Sequence, residues 1–151
     1  MDHGAFLRLL RSHSSARASV VLAMLFLLAA CGGEAGTLPG ADLPECKTAL
    51  PAGRDVKGVP PDFPKPDGAL YTKSEPAGPS VIVHGFFDGD LGLSFEAWRG
   101  AFEDAGWTIT KDERETVDAE VFFAHGETNG QVNMFAECAG RTKLTITIRP
   151  S

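Results

Sequence analysis

Between Lys143 and Arg149 the chain alternates strictly, with Leu144, Ile146 and Ile148 set against Thr145, Thr147 and Arg149. A period of two is the mark of a strand with one buried face. Less regular versions lie upstream. Residues 131–138 put Val132, Met134, Ala136 and Cys138 on one face, 120–125 read Glu-Val-Phe-Phe-Ala-His, and 107–111 alternate Trp107 and Ile109 with Thr108 and Thr110. Residues 80–87 are β-branched and aromatic between Gly-Pro and Asp-Gly-Asp, and 69–73 form a shorter candidate. Asn129-Gly130 is a hairpin signal between 120–125 and 131–138, and Ala139-Gly140 serves the following turn.

One segment changes period. Across 94–105, Trp98, Ala101, Phe102 and Ala105 recur at helical spacing, with Phe95 alongside. Ser94 is the expected N-cap, Glu96 falls in the positive first turn, and Gly106 is placed as a C′ glycine. Gly100 inside the helix costs about 1 kcal/mol relative to Ala and is read as marking a close backbone contact. The order β-β-α-β-β-β-β predicts an α+β two-layer sandwich. Its sheet is mainly antiparallel, of five to six strands, with one covering helix at about 94–105.

Before the first strand the pattern is of another kind. Residues 44–67 contain Cys46 and six prolines. Proline fixes its own φ and pushes the preceding residue to extended conformations. The segment reads as a stiff irregular strap lying against the domain, pinned by Cys46 and by the side chain of Phe63. A proline-rich recognition motif is the other reading, and no clean P-x-x-P repeat supports it. Residues 31–43, rich in Gly and small polar residues, read as a flexible tether.

The first thirty residues carry Arg8, Arg11 and Arg17 against Asp2, followed by thirteen uncharged residues at 18–30. That run is shorter than the roughly 20 apolar residues that span a bilayer. A basic stretch, a short apolar run and small residues read as a secretory signal. Leu28-Ala29-Ala30-Cys31 resembles the lipobox of bacterial lipoproteins. The resemblance implies a diacylglycerol on the Cys31 thiol, cleavage before Cys31 and acylation, with palmitate for instance, of the new amine. Two or three acyl chains make a stable anchor, each buried CH2 contributing roughly 0.8 kcal/mol. A soluble secreted protein cut near Ala30 is the competing reading. The expected organisation is a cleaved signal peptide at 1–30, the tether at 31–43, the strap at 44–67 and an α+β domain at 68–151. The domain would lie on the extracytoplasmic side, lipid-anchored to the cell membrane or outer membrane. In a Gram-negative cell Gly32, rather than Asp, favours the outer membrane.

Setting 1–30 aside leaves 121 residues with eleven Lys and Arg against nineteen Asp and Glu, a formal charge of −8. That balance argues against nucleic acid as a partner. With Cys31 assigned to lipid, Cys46 and Cys138 become an even pair in an oxidising compartment and read as a disulfide. A redox pair or metal ligands are the alternatives, without a C-x-x-C spacing or a neighbouring His to support them.

The run Asp62-Phe63-Pro64-x-Pro66-x-Gly68-Ala69, the helix ending Ala105-Gly106-Trp107 and the late Cys138 resemble a group of small uncharacterised lipoproteins of high-GC bacteria. The likeness covers residues 59–149 and implies no activity, ligand or catalytic residue.

Candidate chemistry is sparse. His84 shares a strand face with Ile82 and Phe86, and His125 with Val121 and Phe123. Zinc needs three or four convergent ligands, and these are the histidines beyond residue 30. Asp88-Gly89-Asp90 resembles the start of a calcium loop but lacks the later Gly and Glu; a strand-to-helix turn explains it better. There is no G-x-S-x-G elbow or phosphate-binding glycine loop, and Ser80 and Ser94 sit at element edges. An aromatic groove between helix and strap is conceivable around Trp98 and Trp107. Two function classes follow. One is a non-enzymatic envelope domain that binds a protein or small ligand or supports structure, with no cofactor. The other is a small hydrolase or metal-dependent enzyme built on His84, His125 and nearby acids.

Overall fold

The structure, a computed structural model, describes residues 42–150. The signal peptide 1–30, Cys31 and tether residues 32–41 lie outside the described residues, as does Ser151. Strands β1 (Ala69–Ala77), β2 (Ser80–Asp88), β3 (Thr108–Arg114), β4 (Asp118–His125), β5 (Thr128–Cys138) and β6 (Arg141–Pro150) form one antiparallel sheet. Its order is β1-β2-β6-β5-β4-β3. The helix α1 (Leu91–Asp104) carries the chain from β2 to the far edge at β3. From there β3 to β6 meander back until β6 pairs with β2. This is the α+β arrangement that the sequence pattern predicts, with six strands and one covering helix.

The register sorts the side chains. Val83, Ile146, Val132 and Val121 lie across from one another, as do Gly85, Leu144, Met134 and Ala119. These rows form the covered face, and their apolar members are buried. Helix α1 lies over β3, β4, β5 and β6 and buries Leu91, Phe95, Trp98 and Phe102 there. It makes few contacts with the β1–β2 half, which is covered by residues 56–65 of the strap, whereas Thr48 and Gly53 lie against Arg141 and Leu70 on the opposite face. Arg54 donates its backbone N–H to the Tyr71 carbonyl along the free edge of β1 (2.8 Å). Val56 and Val59 pack on the core, a Cβ at Gly58 would press on Val81, and the Lys65 ammonium sits over the Tyr71 ring.

Phe63 closes the seam between these two covers. It is 7% exposed, and its ring centroid lies 5.3 Å from Trp107, 5.3 Å from Phe123, 5.7 Å from Phe102 and 6.2 Å from Trp98. Several of these contacts are edge-to-face, the arrangement that ring quadrupoles favour. The conceivable aromatic groove between helix and strap is therefore occupied by the strap's own side chain. Cys46 fixes the other end of the strap through a disulfide to Cys138, with the Cα atoms 5.1 Å apart. A closed loop of 92 positions contributes roughly 4 to 5 kcal/mol in the chain-entropy account.

Four local expectations change. The helix starts three residues before Ser94. Asp90 is its N-cap, with Oδ1 accepting from the Leu93 N–H at 2.8 Å, so Ser94 is a buried residue of the second turn and Glu96 lies beyond the first. The chain can turn into a helix as soon as an acceptor is available, and Asp90 comes first. The other end matches the pattern: Gly106 at φ 74° donates to Glu103 and Trp107 to Phe102, a Schellman pair. The β4–β5 hairpin turns at Gly126-Glu127, where Gly126 takes φ 54°, because His125 pairs with Thr128. Asn129-Gly130 lies inside β5, where a Cβ on Gly130 would overlap the Thr147 carbonyl oxygen. A missing Cβ thus serves strand approach there, not a turn. Gly100 makes no close approach, since a Cβ would meet nothing within 4 Å among the described residues. Finally, β1 runs on to Ala77; Pro76 is tolerated because β1 is an edge strand.

Tyr71 is buried on the covered face with its hydroxyl unpaired among the described residues. Burial pushes its phenol above the ordinary value of 10. The folded state therefore favours the neutral ring, a contribution complete below about pH 10 and lost as pH rises toward the raised value. Tyr71→Phe should leave neutral-pH stability unchanged or raised by about 1 kcal/mol, because no hydrogen bond is lost. It should also flatten the decline above pH 10. Denaturant titration at several pH values checks this, and absorbance reports on the single tyrosine of the chain. Phe63→Ala should cost about 3 to 5 kcal/mol in urea unfolding, as large core truncations do; a loss under 1 kcal/mol would show that the strap is an accessory.

Candidate functional site

The residues singled out for chemistry stand apart. His84 projects from the uncovered face of β2, with Nε2 3.1 Å from Glu75 Oε1. Glu75 also pairs with Lys73 at 3.3 Å. The hydrogen bond with His84 and then the bond and charge of Lys73 hold the Glu75 carboxyl below its ordinary value. His125 ends β4 on the covered side. Its ring stacks on Trp107 at 4.8 Å and 17°, and Nε2 is 4.0 Å from Asp62 of the strap. Strands β6 and β5 lie between β2 and β4. Three strand spacings across the sheet (about 14 Å) and five residues along β4 (about 17 Å) separate them, on opposite faces of the sheet. The two imidazoles share neither a carboxylate nor a cleft, and among the described residues no group of three or more His, Cys, Asp and Glu could hold a metal.

The other candidates have local duties. Asp90 caps α1, and the Asp88 N–H donates to the Gly68 carbonyl at 3.0 Å. Ser80 opens β2, while Ser94 is fully buried beneath α1 with no hydrogen-bond partner for its Oγ among the described residues. At the disulfide corner a half-open groove of about 230 Å³ is bordered by Glu45, Lys47, Thr48, Glu137 and Arg141. The Arg141 charge there is already engaged: Nη2 donates to the Thr48 carbonyl at 2.5 Å, Nη1 lies 3.6 Å from Glu137, and the guanidinium sits over Phe86. Among the described residues no helix is long and apolar enough to cross a membrane.

What residue-by-residue reasoning missed is the uncovered sheet face. Thr145 stands between His84 and Asn133, and Thr147 between Ile82 and Gln131. Gln131 and Asn133 in turn face Phe122 and Glu120. The four neutral polar side chains therefore make a two-by-two block on β5 and β6. All four are half-buried, and none has a hydrogen-bond partner among the described residues. The signal was present in the alternation of 143–149, whose polar half is usually taken as mere solvent face.

The Glu75 shift gives a sign that can be checked. A carboxyl held below its ordinary value favours the folded state above about pH 4.5 and loses that contribution as pH falls through the lower folded value. In a carboxyl NMR titration Glu75 should have its midpoint below 4.5, and His84→Ala should move it upward, since His84 is the first cause. An unmoved midpoint would assign the effect to Lys73 alone.

No protein-family model matches the chain, and neither a curated protein nor a solved structure is significantly similar to it.

Proposed function

We propose that the chain is a lipid-anchored extracytoplasmic protein whose folded domain is a non-enzymatic binding or structural module. One observation carries the reading. With Cys46 bonded to Cys138, Cys31 is the one cysteine outside the pair, and it stands at the position that resembles a lipobox. A disulfide suits an oxidising compartment, which is where export through residues 1–30 would deliver the domain. The strap, closed onto the core by Phe63 and onto β5 by the disulfide, suits a domain that must persist outside the cytoplasm. The non-enzymatic reading is supported over the hydrolase alternative by the separate engagement of His84 with Glu75 and of His125 with Trp107 and Asp62.

Mass spectrometry of the membrane fraction tests the anchor. The parent protein should begin at Cys31 and carry the mass of a diacylglyceryl group. Cys31→Ser should lose that mass and accumulate as uncleaved precursor, with the Cys46–Cys138 bridge intact under non-reducing conditions. A Cys31→Ser protein that keeps the same mass shift and partitions with membranes would falsify the assignment.

A further inference from the structure

We draw no further inference here: the strongest candidate, the exposed apolar side chains Leu93, Val117 and Phe135 near the disulfide end of the sheet, carries nothing because they stand on separate elements among the exposed acids Asp88, Asp90, Glu115 and Glu137 and nothing in the structure shows what covers them.

Discussion

The insertion of Phe63 among Trp98, Phe102, Trp107 and Phe123 is the contact on which the domain's second layer depends. A single fourteen-residue helix cannot cover a six-stranded sheet, and α1 leaves β1 and β2 bare. The uncovered remainder must be filled by something without regular structure of its own. A proline-rich segment suits that task, because restricted φ lowers the entropy lost when it lies down. It makes few backbone hydrogen bonds to the sheet, so one large ring has to supply much of the cohesion. The Pro60–Phe63 turn aims that ring, with the Phe63 N–H donating to the Pro60 carbonyl at 3.1 Å.

Legibility in the sequence followed the strength of local periodicity. Strand β6 is the clearest example: Leu144, Ile146 and Ile148 are buried and the threonines between them are not, as alternation alone requires. The sheet, the single helix and the Gly106 stop were all readable because each rests on local chemistry. The disulfide was readable for a different reason, the parity of cysteines. The fixed points of the strap, Cys46 and Phe63, could be picked out as the residues in a proline-rich run able to bond or bury strongly. Its role as half of a layer could not, since that depends on how far α1 reaches across the sheet.

The misses have a common cause. At Ser94, Gly100 and Gly130 the residue type suggests its commonest duty, and tertiary context gives each another or none. A glycine that permits strands to approach looks, in sequence, like a glycine that permits a turn. Likewise β3 does not alternate throughout, because a bulge between Ile109 and Lys111 shifts the register. That shift turns Asp112 and Arg114 toward α1, where Arg99 meets Asp112 at 2.6 Å and Arg114 lies near Glu96. Site residues were harder still. Histidines and acids attract notice by type, whereas the block on β5 and β6 is made of ordinary Thr, Asn and Gln and exists only through strand register.

The bridge between Cys46 and Cys138 also decides how the domain carries load. It joins the segment nearest the tether to the end of β5, an interior strand of the sheet. Tension entering the chain upstream of Cys46 crosses the sulfur–sulfur bond and passes to the sheet without travelling through residues 47–137. The strap, the Phe63 plug, the helix and most of the strands lie inside a covalent loop that a pull on the two ends leaves slack. What the pull does load is β6, held along both edges by hydrogen bonds to β2 and β5.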